Sequence, residues 1–211
     1  MNPIRKTAGK ASHLLLVFAV AATACKKDDE KTPTPPTPPA PVTTEPVESH
    51  TVEGLGTGSV SDPQTVYFSF ATNSIVPASE ANTTNWDISF RRPVIRLNGG
   101  ISGPGNAALV IRTDSSFDDI LMADESGYKE DGEGPQDETG ATTDNLVFNN
   151  WFDFDSGTSS VTPKPQVYII RTAQNKYLKM EILDYYDPVF STAGVYKFRY
   201  TYQPGGSKVL N

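Results

Sequence analysis

The chain has 211 residues, a formal charge of −7 and 10% aromatic residues. Removing residues 1–24 takes away three basic residues and no acidic ones, which leaves a charge near −10. Such a surface repels nucleic acid and anionic lipid heads, so DNA or RNA binding is excluded as a role. Cys25 is the only cysteine, so no internal disulfide forms, and His50 is the only histidine after residue 24. Triad and Cys–His chemistry, and zinc sites of the usual kind, lack the imidazole they need.

Residues 1–24 read as a lipoprotein signal peptide. A basic start (Arg5, Lys6, Lys10) precedes an apolar run from Leu14 to Ala22. That run is too short for a bilayer span of roughly 20 residues and suits a signal-peptide core. Cys25 then becomes the lipidated N-terminus. Lys27-Asp28-Asp29-Glu30 follows and is similar to the sorting signal that sends some lipoproteins to the outer face of the outer membrane. Between Thr32 and Pro46 proline recurs among threonines, which gives an extended stalk of polyproline II character. Residues 25–50 are therefore expected to be lipid attachment and linker. Residues 51–211 are expected to form one domain, long enough for a single core.

Within that domain short β-rich runs recur between Gly, Pro, Asn and Asp. They are Val66–Phe70, Trp86–Phe90, Ala107–Arg112, Val167–Thr172, Tyr177–Leu183 and Val195–Tyr202. The last places Tyr196, Phe198, Tyr200 and Tyr202 on one face and Lys197 and Arg199 on the other. Gln174-Asn175-Lys176 reads as a turn between antiparallel strands. The one helical expectation is a short turn capped by Ser116 and running through Leu121. The fold class is all-β, mostly antiparallel, with at most one or two short helices.

Two stretches stand apart. Asp114 to Asp144 holds eleven acidic residues and one basic residue, Lys129, and reads as a long loop or an excursion from the sheet. A solvated acidic face is preferred there to a calcium site, because the spacing of a calcium loop is missing. Asn98–Gly105 is glycine-rich but lacks the P-loop lysine and the following helix. It reads as a strand-joining loop with several special backbone angles. Paired carboxylates for glycoside hydrolysis form no recognisable constellation, and the chain is read as a non-enzyme.

The blocks Trp86–Phe90 and Asn98–Gly105, followed by Phe117-Asp118-Asp119-Ile120, resemble those of the HmuY family of bacterial haem-binding surface lipoproteins. Trp151-Phe152-Asp153-Phe154, Tyr168–Ala173, Lys176–Ile182 and Tyr196–Tyr200 continue in the family's order. The resemblance spans nearly all of residues 60–203. It implies an HmuY-like β fold and a haemophore-like role in haem and iron acquisition. Such a protein binds haem or a related tetrapyrrole without catalysis and passes it to an outer-membrane transporter. It also implies two axial iron ligands, one from a loop after the Phe-Asp block and one from a loop after the tryptophan block. Met122 is available in the first. The second, Asp155–Val161, has neither His nor Met, and Met180 reads as core. Tyr128 is a possible phenolate donor. Trp151, Phe152, Phe154 and Tyr168 are candidates for the pocket wall, with sheet core as the alternative for each. A competing reading is an interaction module on the same scaffold from which haem binding has been lost.

Overall fold

In a computed structural model the described residues are 45–136, 138–139 and 141–211. The signal peptide, Cys25, the acidic sorting signal and most of the proline tract lie outside them.

Thirteen strands form the described fold: β1 (Glu48–Gly56), β2 (Val66–Ser69), β3 (Ser74–Val76), β4 (Ile88–Arg91), β5 (Val94–Leu97), β6 (Ala108–Arg112), β7 (Gly132–Gln136), β8 (Thr142–Asn145), β9 (Phe152–Asp155), β10 (Ser160–Pro163), β11 (Val167–Arg171), β12 (Tyr177–Tyr186) and β13 (Ala193–Gln203). A five-stranded sheet has the order β1-β13-β12-β11-β6, and a four-stranded sheet the order β3-β2-β4-β5. Two hairpins, β7-β8 and β9-β10, stand beside them. Every pairing is antiparallel.

The two larger sheets share one core. The alternation expected of β13 is realised, with Tyr196, Phe198, Tyr200 and Tyr202 buried. Their rings meet those of the smaller sheet. Phe90 lies 4.6 Å from Tyr196 and 5.5 Å from Phe198, and Phe70 lies 4.9 Å from Tyr200, between ring centroids. Each fully buried aromatic contributes about 1.5–3 kcal/mol by leaving water, which replaces the disulfide this chain lacks. A smaller cluster covers the outer face of the large sheet. There Phe117, Ile120, Ala123 and Leu210 pack on Val167 and Ile169.

Buried polar side chains tie these layers together. The Asp87 carboxylate accepts N–H bonds from Phe70 at 2.9 Å and Ala173 at 3.0 Å, joining the two sheets. Asn98 Nδ2 donates to the Thr83 and Trp86 carbonyls, both at 2.8 Å, and its Oδ1 accepts from Gly105 N–H at 2.9 Å. Asp131 accepts from Leu97 and Val147 N–H, both at 2.9 Å, and so ties the middle of the acidic excursion to β5 and to the residues just after the excursion.

Three expectations change. The Ser116–Leu121 segment is a turn, not a helix. Ser116 Oγ donates to the Asp119 carboxylate at 2.6 Å, and Asp119 N–H donates to Ser116 O at 3.2 Å, closing a single turn. The glycine-rich loop needs only one special angle, at Gly100 (φ 58°). Its other glycines are set by close approach. A Cβ on Gly103 would lie 2.2 Å from Asn98 Oδ1, and one on Gly105 would lie 2.5 Å from Asn98 O. His50 is not in the stalk, since β1 begins at Glu48 and pairs His50 with Tyr200 of β13. The one described helical element is a single 3₁₀ turn, Ala78–Glu80.

Candidate functional site

Two cavities of about 420 Å³ each mark the described surface. The first lies on the outer face of the large sheet, among Ser49, Phe117, Lys179, Arg199, Thr201 and Leu210. The second is a cleft at the β6 edge. Leu109, Ile111, Leu146 and Val147 form apolar walls, with Lys129 and Asn149 beside them. The Leu109 and Lys129 backbones exchange two hydrogen bonds of 2.9 Å, which fixes Lys129 at that edge. Carboxylates near the cleft are already engaged: Glu130 with Arg171 at 3.0 Å, and Asp144 with Arg96. Among the described residues no ion pair holds Lys129. Those residues also contain no group of three or more His, Cys, Asp or Glu placed to hold a metal ion.

Met122 is 57% exposed and lines neither cavity. Its segment is built onto the end of the chain. Met122 pairs with Val209, and Ala123 N–H donates to Lys208 O at 2.7 Å. Because Ala123 turns into the outer cluster, Met122 points away from it. Met180 is fully buried in the shared core, as the alternation with Leu178 and Ile182 predicts.

The aromatic candidates serve the core and the surface and line neither cavity. Trp151 is core. It lies 5.4 Å from the Tyr185 ring, and its Nε1 donates to Pro93 O at 2.8 Å. Tyr168 is also core, its ring tilted 39° and 4.5 Å from Phe148, and its hydroxyl accepts from Gln166 Nε2 at 2.6 Å. Phe152 is half-buried against Trp151 at 4.8 Å, while Phe154, two residues on, is 59% exposed. Tyr128 packs on the outer cluster, 5.8 Å from the Arg171 guanidinium. Burial, reinforced by the Asp124 carboxylate, pushes its phenol well above the usual range. The phenolate that iron would take is therefore disfavoured.

The two ligand loops implied by the resemblance stand far apart. Lys208, bonded to the Met122 segment, holds its ammonium 5.6 Å from the Tyr177 ring centroid. The loop of hairpin β9-β10 sits at the other end of β12, where Val161 N–H donates to Tyr186 Oη at 2.7 Å. From Tyr177 to Tyr186 the strand runs about 30 Å. Two axial donors must face each other across one iron. These residues do not fit a bis-ligated haem between those two loops.

Sequence reasoning passed over the two residues that line cavities with charge to spare, Lys129 and Lys179. The signal for Lys129 was present, as the lone cation of an acidic stretch. Lys179 gave none, because an outward-facing lysine on a strand reads as ordinary surface.

Comparison with known proteins places these features in a family. The HmuY protein family matches residues 61–200. No curated protein matches the chain. Among solved structures, the apo form of an HmuY analogue from Tannerella forsythia is similar at 14% identity and a TM-score of 0.54, covering 77% of this chain and 99% of that one. A candidate HmuY-like haem-binding protein from Bacteroides vulgatus is similar at 14% identity and 0.51, covering 74% and 92%. A candidate lipoprotein from Bacteroides fragilis follows at 14% and 0.50, covering 74% and 91%. At these identities the structures speak for the fold. The family match spans most of the chain, and the expected order of blocks, the all-β architecture and the match agree: the chain belongs to the HmuY family.

Proposed function

We propose that this chain is a lipid-anchored HmuY-type carrier on the cell exterior. It binds haem or a related tetrapyrrole without catalysis and delivers it to an outer-membrane transporter. Family membership over residues 61–200 carries the reading. The descriptions of two neighbours support it, one as a candidate haem-binding protein and one as a candidate lipoprotein. Cys25 and the acidic residues behind it supply the anchor and the outward address.

Among the described residues the exposed Met122 thioether is the soft donor that iron would reach. If haem is bound, that thioether would hold its iron from one side. Haem titration followed by difference spectroscopy tests the proposal. Saturable binding with a Soret band that shifts in Met122→Ala is expected. Absence of saturable binding by the wild type overturns it.

A second reading is favoured by the β6-edge cleft, whose apolar walls and Lys129, without an ion pair among the described residues, suit a flat apolar ligand bearing an acid group. In that reading the scaffold binds its ligand without iron ligation. Metal-free protoporphyrin binding as tightly as haem, with no change in Met122→Ala, would select it.

A further inference from the structure

Lys179 belongs to the Lys176–Ile182 block, yet the tetrapyrrole reading gives it no part. It faces outward from β12, directly opposite Thr201 of β13. Even so it is only 5% exposed, because Phe117 and the segment after it lie over it. Its ammonium donates to Ile120 O at 2.7 Å and stands 4.7 Å from the Phe117 ring centroid. No ion pair reaches it among the described residues. Arg199 takes both neighbouring carboxylates, Glu181 and, at 3.8 Å, Asp118. A buried ammonium is stable only when paired or fully hydrogen-bonded, and this one has three N–H donors and one acceptor. Burial accordingly lowers its pKa, with Arg199 acting in the same direction and Asp118 against it.

The first cavity opens on this group. Ser49 and Thr201 line it with hydroxyls 3.0 Å apart, while Phe117 and Leu210 supply apolar surface. We propose that this outer-face cavity binds a small organic carboxylate, its charge on Lys179 and the Ser49–Thr201 hydroxyls and its apolar body against Phe117 and Leu210. A monoanion matches the donors present. A dianion would be repelled by Asp118 at the rim and would find too few donors. The site is independent of any tetrapyrrole.

Benzoate is the probe, titrated into the full chain and followed by NMR. Saturable shifts at the Lys179 ammonium and at the Phe117 and Thr201 amides are expected. Lys179→Met keeps the aliphatic stem and should weaken binding about tenfold or more, a loss typical of a charged hydrogen-bonded partner. Paired substitution Ser49→Ala and Thr201→Val keeps the ammonium and should weaken it about threefold. No saturable shift in the wild type overturns the proposal. So does benzoate binding that neither variant changes. Inorganic phosphate binding as tightly as benzoate also overturns it, since a bare anion site would ignore the apolar wall.

Discussion

Asp87 shows how a family block can be structural at the level of single residues. Two backbone N–H groups from different sheets converge on its buried carboxylate. Burial outweighs both bonds and raises its pKa from 3.8 to about 6. The sign follows from linkage. A carboxyl with a raised folded pKa favours the folded state most when protonated, so this contribution is full below about pH 4 and is lost as pH rises through about 6. The Asp87→Asn variant removes that dependence. Relative to the variant, the wild type should lose about 2 kcal/mol between pH 4 and pH 7. Urea unfolding at several pH values measures the difference, and parallel stability profiles would refute it. The Trp-Asp and Asn-Gly blocks were legible as a family mark in the sequence. Their role in stitching sheets was not, because Asp87 meets Ala173 across 86 positions of chain. Met122 is the opposite case. Its thioether was legible as a donor, but its place on the strand-like segment beside Val209 comes only from tertiary pairing. At 57% exposure its loss should change stability by under about 0.5 kcal/mol. Thermal unfolding of Met122→Ala thus separates any spectral change from a folding defect.

At the scale of elements, legibility followed alternation. The strands read from the sequence, β2, β4, β6, β11, β12 and β13, carry runs of β-branched or aromatic residues. The turn at Gln174–Lys176 joins β11 to β12 as expected, with Asn175 at φ 60°. Those passed over are short or polar. In β7, Gly132–Gln136, there is no apolar alternation to read, and β3 has three residues. The helix expected at Ser116 failed for a related reason. Five or six residues cannot offset helix nucleation alone, and burying Phe117 and Ile120 on the sheet takes only one turn. The β12–β13 connection is a sharper test of element design. Asp187 Oδ1 accepts N–H bonds from Val189 at 2.9 Å and Phe190 at 2.7 Å, holding both side chains out in solvent. Replacing Asp187 with Ala leaves the turn without its acceptor and should cost about 1 kcal/mol. A urea midpoint equal to that of the wild type would show that water substitutes fully.

For the molecule as a whole, the proposed lipid anchor and the fold make separate demands on the N-terminal segment. Cys25→Ala should yield protein that no longer fractionates with membranes, and continued stable anchoring of that variant would remove the lipoprotein reading. The folding boundary lies between the proposed anchor and β1. The sequence suggested Thr51, because no alternation marks the residues before it. In the fold β1 starts at Glu48 and covers an edge of β13, with Glu48, Ser49 and His50 opposite Tyr202, Thr201 and Tyr200. The His50 ring lies 5.0 Å from that of Tyr200, and the Ser49 and Thr201 hydroxyls are 3.0 Å apart. A chain begun at Glu45 keeps these pairs, whereas one begun at Thr51 loses them and bares the β13 edge at Tyr200–Tyr202. Both should give β-dominated circular dichroism, since the aromatic core lies beyond residue 51. The shorter chain should be less stable by about 2–4 kcal/mol, from several ladder hydrogen bonds and two cross-strand contacts. It should also aggregate more readily through the uncovered edge. Equal urea midpoints for the two chains would place the boundary at Thr51 after all and make the first turn of β1 dispensable.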